Sequence, residues 1–394
     1  MILSICLPTY NRPEFLSRFL ESIRNQKADF SMFEILILNN GSDFKTTNLL
    51  NYWKQNLPNL RVINSDKNER GKKPTLSLLE TSLGRWIVFP GDDDEFTPGA
   101  LKLILKTCLH AEQNNFSLLS FGALTQNNSG NLLPKKFNFD KKLDRYELIA
   151  KLIFENLFWL PCTVFKKKPI LDSNIPNTIT CGDQSFWIAA LIEGELLVIH
   201  EPIIRYTIHE LQEQHSYPVD FWNLDRLIAF DDMIQRGALH YLLNESNSDR
   251  ISLFLNSLNS EISNRRMELV DQYIFIRLCQ KIDFKFPSLN KHLIAMLDKT
   301  NIHPRIKNLY FDYELTEARF RKAIENLKID PLYNSMMNRE SENLKIDLEN
   351  QYNLISSAIN FNVKYNDVTK FERKILTFYR LIKNFSVVKR LFNR

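Results

Sequence analysis

Three consecutive carboxylates, Asp92, Asp93 and Asp94, stand in the stretch VFPGDDDEFTPGAL, directly after an apolar run and just before a Pro-Gly. Adjacent like charges repel and raise one another's pKa, so the chain must either leave them in water or supply a cation. In water they would form a solvated turn leading into the helix that Thr97-Pro98-Gly99 opens, where acidic residues suit the helix dipole. With a cation they would form a hard oxygen site of the kind that holds Mg²⁺ or Mn²⁺ together with substrate phosphates. Other candidates are scattered along the chain. Lys72 and Lys73 in NERGKKPTL make either a contact for phosphate or a solvated basic turn. Asp183 in CGDQSFW has the position of a helix N-cap, and His200, His209 and His215 cluster after that helix.

The elements that must position these residues alternate in type. Ile2 to Leu7 reads as a strand, Pro13 to Asn25 as a helix with Phe15, Leu16, Phe19, Leu20 and Ile23 on one face, and Phe33 to Leu38 as a second strand. Arg61 to Asn64 predicts a third strand and Pro74 to Leu83 a helix. Arg85 to Pro90 predicts a fourth strand, apolar enough to be buried on both faces. Such alternation predicts a mostly parallel sheet flanked by helices, whose ligands bind beyond the carboxyl ends of the strands. Those ends are PTYNR (8–12), NNGSD (39–43) and GDDDE (91–95), three polar segments on one rim. The carboxylates therefore have company, and the balance shifts from a solvated turn to a divalent cation completed by a diphosphate, able to stabilise a departing nucleotide.

Further along, Leu143 to Phe158 predicts a helix, a second helix begins near Asp183 with Trp187, Ala190 and Leu191 inward, and strands run through Leu197 and Ile204. After about residue 216 long helical patterns take over, which places a boundary near Ser216 to Asp220. With 394 residues and 44% apolar content the chain can fill more than one core. The hexapeptide ENLKID at 325–330 and 342–347 has no third copy and does not make a solenoid.

Several function classes lose ground. There is no G-x-x-x-x-G-K-[ST] or G-x-G-x-x-G, and ten glycines leave little for glycine-built phosphate cradles. The five cysteines are odd in number, widely spaced and without a C-x-x-C pair, which fits a reducing cytoplasm and no structural zinc. No leader precedes an apolar run, and no apolar stretch reaches about 18 residues, so neither secretion nor a spanning helix is expected. The net charge of +5 hides eight basic residues against one acidic in 370–394. Basic character confined to one tail argues against nucleic-acid binding. In that tail Phe371, Ile375, Phe378, Ile382, Phe385 and Phe392 recur at helical spacing. This predicts a helix for an anionic membrane interface, or one packed on protein.

The run LPTYNRPEFLSRFLESI, then EILILNNGSD, then GRWIVFPGDDDEFTPGAL, then GDQSFW, in that order and at those separations, resembles the inverting glycosyltransferases of family 2 with a GT-A fold. The resemblance covers roughly residues 1–210. It implies that Pro8, Thr9, Tyr10 and Arg12 line a nucleotide; the local reading of Lys72 as a phosphate contact would add a positive group to that site. It also implies that Asp92 is the ribose-side carboxylate, that Asp93 is a metal ligand supported by Asp94, and that Asp183 is the catalytic base. His209 in RYTIHE matches a segment that closes over the diphosphate, as a metal or phosphate contact, and Trp159 and Trp187 are either acceptor platforms or core. Two departures stand out. Asn39-Asn40 replaces an acidic pair that reads base and ribose, and Gly91 stands where an aspartate is common. Asn40 can donate as well as accept, which suits cytosine and still permits uracil.

Together these give a GT-A domain over 1–216, a helical domain over 217–369 and the basic helix over 370–394. The expected activity is Mn²⁺- or Mg²⁺-dependent transfer from a nucleoside-diphosphate sugar to a glycan or lipid-linked acceptor in bacterial surface polysaccharide or lipopolysaccharide assembly. The expected place is the cytoplasm, at the inner face of the membrane. The competing expectations are a nucleotide-sugar-binding subunit without turnover and a nucleotidyltransferase, which would usually need a glycine-rich basic turn that PTYNRPEF does not offer.

Overall fold

The computed structural model describes residues 1–311 apart from 70, 127–131, 136–142, 177, 179–181, 208–218, 245–247 and 303. The chain packs as two units, Met1–Glu261 and Ile262–Arg394.

In the first unit the expected alternation is present. Strand β1 (Leu3–Thr9) leads to helix α1 (Pro13–Arg24), then β2 (Phe33–Asn40), α2 (Phe44–Asn56), β3 (Leu60–Ser65), α3 (Lys73–Thr81) and β4 (Trp86–Val88). Pro13 starts α1 because its fixed φ suits a first helical turn and its missing N–H costs nothing there. The spacing of Leu16, Phe19, Leu20 and Ile23 puts all four in the core, each contributing about 1.5–3 kcal/mol of transfer free energy. All eight residues of β2 are buried. A strand covered on both faces needs an apolar run rather than alternation.

Helix α2 has a weaker pattern that the expectations above do not include. Asp43 caps it by accepting from the Thr46 N–H at 3.1 Å, and it buries only Thr46, Leu50 and Trp53.

The remaining strands are β5 (Glu95–Phe96), β6 (Phe116–Gln126), β7 (Leu132–Lys135), β8 (Thr163–Lys166) and β9 (Glu195–Tyr206). One sheet runs β3-β2-β1-β4-β8-β6-β9-β5, with β7 paired to β6. From β3 to β4 all pairings are parallel. Beyond β4 the β6–β9 pairing is parallel, while β8 meets β4 and β6 antiparallel and β5 meets β9 antiparallel. Helices α4 (Ala100–Gln113), α5 (Arg145–Phe154), α6 (Lys167–Asp172) and α7 (Asp183–Glu193) complete the sequence up to β9. Helix α5 begins with a capping box between Asp144 and Glu147, which satisfies two orphan N–H groups reciprocally.

A buried acidic hub ties the amino ends of these strands. Glu34 in β2 accepts from Ser4 in β1, from Arg61 in β3 and from the Leu83 N–H just before β4. Ser4 in turn accepts from the Gly84 N–H at 2.7 Å.

Helices α8 (Val219–Gln235), α9 (Ala238–Asn244) and α10 (Ser248–Ser263) follow, and the division between units falls after Glu261. Arg226 of α8 donates to the Ile153 carbonyl of α5 at 2.8 Å, and Lys151 of α5 pairs with Glu261 of α10 at 2.9 Å. The boundary expected near Ser216 to Asp220 falls largely on residues outside the described ones. The described part of the second unit holds α11 (Leu269–Lys285), α12 (Asn290–Lys299) and α13 (Pro304–Leu309). The tail 370–394 and both ENLKID copies lie outside the described residues. Cys6, Cys108, Cys162 and Cys279 are buried and free, and Cys181 lies outside the described residues.

Candidate active site

The ends of β1, β2 and β4 adjoin, as parallel neighbours must. In register, Pro8 pairs with Leu38 and Thr9 with Asn39. The turn after β1 is braced to the turn after β2. Asn11 takes φ +51°, a left-handed conformation in which asparagine is enriched. Its Oδ1 accepts from the Asp43 N–H at 2.8 Å, and its own N–H donates to Ser42 Oγ at 3.2 Å. This brace was not anticipated; an asparagine two residues after a strand end was its one sequence signal. Tyr10 is half-buried between the braced residues and the strand.

The three carboxylates have three different fates. Asp92 is buried; its Oδ2 accepts from the Thr9 hydroxyl at 2.7 Å and its Oδ1 from the Arg12 guanidinium at 3.2 Å. Burial pushes its pKa up, while Arg12 and then Thr9 pull the other way. Asp94 is also buried, and its carboxylate turns inward. Its Oδ2 accepts from the Gly91 N–H at 3.0 Å and its Oδ1 from the Thr207 N–H at 3.4 Å. Burial, and then the charge of Asp93, push its pKa up to about 8, against the two backbone N–H groups. Neutral at pH 7, Asp94 removes one charge from the triplet and fastens the loop to the end of β9. This differs from the role expected for it beside the metal. Asp93 is the partly exposed member, 3.6 Å from Arg12.

Among the described residues no three His, Cys, Asp or Glu side chains converge on one point. The donor set thus suits a divalent cation held by a single carboxylate, Asp93, and completed by phosphate oxygens, which is how Mg²⁺ is commonly bound. It does not suit an all-protein cage. His209 lies outside the described residues, and His200 is exposed on β9.

The asparagine pair is engaged within the protein. Asn39 donates to Thr47 Oγ1 at 3.2 Å and to Asn64 Oδ1 at 3.1 Å, and accepts from the Ser42 N–H at 3.3 Å. Asn40 donates to Asn68 Oδ1 at 2.9 Å and to the Glu69 carbonyl at 2.8 Å, and accepts from the Glu69 N–H at 2.9 Å. Between the pair and the next turn, Gly41 sits at φ +73°, and a Cβ there would lie 2.5 Å from the Lys67 carbonyl carbon. The pair and its glycine therefore hold the segment after β3 against the end of β2.

Asp183 is the first residue of α7, after Gly182, and forms an ion pair with Lys72, the residue just before α3. Sequence reasoning placed Lys72 toward phosphate; here its ammonium lies on the carboxylate expected to be the base. The two tryptophans separate. Trp187 is fully buried, with its indole N–H on Thr163 Oγ1 at 3.0 Å and its ring edge-on to Phe158. It is core and does not form an acceptor platform. Trp159 is partly exposed and lies 4.8 Å from the ring of Tyr206, the neighbour of Thr207.

A sheet that is parallel from β3 to β4 and mixed beyond, with helices alternating along it, is that of the GT-A fold. The likeness to solved structures is one of fold. It includes Staphylococcus aureus TarS 1–349 in complex with UDP-GlcNAc, at TM-score 0.53 and 17% identity over 82% of this chain and 90% of that one. The family described as Glycosyl transferase family 2 matches residues 4–165. A Haemophilus influenzae protein named as an uncharacterized glycosyltransferase is 30% identical over 237 residues, 58% of this chain and 75% of its own. The chain belongs to glycosyl transferase family 2. It is also 25% identical over 210 residues to the GalNAc(5)-diNAcBac-PP-undecaprenol beta-1,3-glucosyltransferase of Campylobacter jejuni, 52% of this chain. The match spans 64% of that relative, less than two thirds of its length.

Proposed function

We propose that the chain transfers a sugar, with inversion, from a nucleoside-diphosphate sugar to a hydroxyl of a glycan or lipid-linked acceptor in bacterial surface-polysaccharide assembly. The observation that supports this most is the clamp on Asp92 by Thr9 and Arg12, with the partly exposed Asp93 beside it. Asp92 faces the ribose, Thr9, Tyr10 and Arg12 line the nucleotide, and Asp93 holds Mn²⁺ or Mg²⁺. Bound there, the cation supplies charge neutralisation for the departing diphosphate. Asp183 takes the proton of the acceptor hydroxyl as its oxygen bonds to the anomeric carbon, while the bond from that carbon to the diphosphate breaks with its electron pair on the diphosphate.

The base is read as uracil. Asn40 has spent both amide hydrogens on Asn68 and Glu69, so none remains for cytosine N3, whose recognition requires a donor. The Campylobacter relative is named for an undecaprenol-linked substrate, and TarS was solved with UDP-GlcNAc. Both fit a lipid-linked or polymeric acceptor and a UDP-sugar donor.

Among the described residues no helix is long and apolar enough to cross a membrane. Contact with the inner face of the membrane is assigned to the basic tail 370–394. Flotation with anionic liposomes tests this; equal flotation of the full chain and a chain lacking 370–394 overturns it.

Calorimetric titration with UDP, CDP and GDP, each with Mn²⁺ and with EDTA, tests the centre of the reading. UDP binding that needs Mn²⁺ and is lost in Asp93→Ala supports it. Absence of binding under every condition overturns it, and turnover confined to CDP-sugars overturns the assignment of uracil.

A further inference from the structure

We propose that Lys72 is a positioning residue for Asp183, holding one carboxylate oxygen so that the other meets the acceptor; this rests on the reading of Asp183 as the base. The Lys72 ammonium donates to Asp183 Oδ1. Only 13% of the Lys72 side chain and 28% of that of Asp183 are exposed, so water screens the pair less than it would on an open surface. A lysine is a compact charge on a flexible stem and aims poorly unless the stem is confined.

Here it is confined at three places. The Lys72 N–H donates to the Thr178 carbonyl at 2.9 Å, joining the residue before α3 to the segment before α7. Gly182 forms the notch through which the stem passes; a Cβ there would collide with Lys72 Cε and lie 2.7 Å from its Cγ. Upstream, Asn40 clamps Asn68 and Glu69 to the end of β2 on both amide hydrogens and the carbonyl oxygen. Asn40 thus has work on the base side of the site. It anchors the segment that delivers Lys72.

The consequence for the reaction is directional. With Oδ1 occupied by the ammonium, Oδ2 is the oxygen that receives the acceptor proton. A carboxylate held this way meets the hydroxyl in one orientation, which raises the rate of the chemical step without contributing to donor affinity. The competing assignment, Lys72 on the donor diphosphate, makes the opposite forecast, since a lost phosphate contact weakens donor binding.

The test compares Lys72→Met, Gly182→Ala and Asp183→Asn in the full chain. Turnover is followed as release of nucleoside diphosphate from a panel of UDP-, CDP- and GDP-hexoses with water as acceptor. Affinity is measured by titration with UDP, CDP and GDP in Mn²⁺. Lys72→Met is expected to lose ten- to hundred-fold in kcat while diphosphate affinity stays within about two-fold. Gly182→Ala, which keeps the lysine and displaces its stem, is expected to lose kcat in the same sense.

Thermal unfolding of Lys72→Met, Asp183→Asn and the double variant should be non-additive, because the two share one interaction. Additive shifts overturn the inference, with or without measurable turnover. Weakened diphosphate binding with kcat retained also overturns it and returns Lys72 to the phosphate. If Asp183→Asn is inactive while Lys72→Met turns over normally, the positioning role alone fails. If Asp183→Asn turns over normally, the assignment of the base fails and the role of Lys72 fails with it.

Discussion

Thr9, the last residue of β1, donates its hydroxyl to Asp92 at 2.7 Å, while Arg12, three residues further, reaches the other oxygen of the same carboxylate at 3.2 Å. One short turn thereby holds both oxygens of a buried aspartate contributed by the loop after β4. A carboxylate inside the protein requires such partners, because burial alone would favour its neutral form. Thr9→Val keeps the shape and removes the donor. It is expected to cost about 1–3 kcal/mol of stability and to weaken nucleotide binding, with Thr9→Ser restoring both. Urea denaturation and titration with UDP check this.

Asp93 and Asp94 are expected to respond oppositely to truncation. Asp93→Ala should abolish Mn²⁺-dependent UDP binding with little change in unfolding midpoint. Asp94→Ala leaves the Gly91 and Thr207 N–H groups without their acceptor, and each buried unsatisfied donor costs about 1–3 kcal/mol. Its midpoint should drop even without nucleotide, and circular dichroism melts distinguish the two variants.

The pH dependence of Asp94 has a definite sign. Its carboxyl lies near 8 in the folded chain against an ordinary 3.8. Between those values the folded state keeps a proton that the unfolded state has released. Stability is therefore highest below about 4 with respect to this group, falls as pH rises toward 8, and levels off above. Unfolding free energies of the metal- and nucleotide-free protein at pH 5, 6.5 and 8 should show this fall relative to Asp94→Asn, which has no proton to lose.

Glu34 is expected to matter for folding and not for chemistry. Its carboxylate joins β1, β2, β3 and the entry to β4 at the end of the sheet away from the site. Glu34→Ala strands the Ser4 hydroxyl, the Leu83 N–H and part of Arg61, for a loss of about 2–4 kcal/mol. Guanidinium denaturation measures it, and nucleotide affinity in the folded fraction should be unchanged.

The tryptophans offer a contrast of the same kind. Trp187→Ala opens a void in the core and is expected to cost about 3–5 kcal/mol. Trp159→Ala removes a half-buried ring that packs against the core and against Tyr206, and should cost less stability than Trp187→Ala. If Trp159 stacks on the acceptor sugar, the KM for acceptor rises and the affinity for UDP does not change.

Much of this molecule is local and was readable in the chain. Pro13 and the Leu16–Ile23 face determined α1, the unbroken apolar run Phe33 to Leu38 determined a strand covered on both sides, and the polar segments after β1, β2 and β4 had to share a rim because parallel neighbours end on the same side. Helix α2 was missed although Asp43 caps it, because its apolar face is only Thr46, Leu50 and Trp53, too sparse for periodicity to stand out.

What only the tertiary structure decided was which oxygen meets which proton. DDD reads as three equal charges, but burial and partners from distant strands made Asp92 a buried carboxyl clamped by Thr9 and Arg12, Asp94 a tie to β9 and Asp93 the partly exposed member. Lys72 and Asp183 stand 111 positions apart. Neither residue's neighbours in the sequence carry a sign of the other. The contact arises because the segments before α3 and α7 meet across the Thr178 carbonyl and because Gly182 leaves room for a lysine stem. Hydrophobic periodicity acts over a few residues and is written along the chain. Hydrogen-bond partnership acts over three ångströms in space, and the chain settles it only by folding.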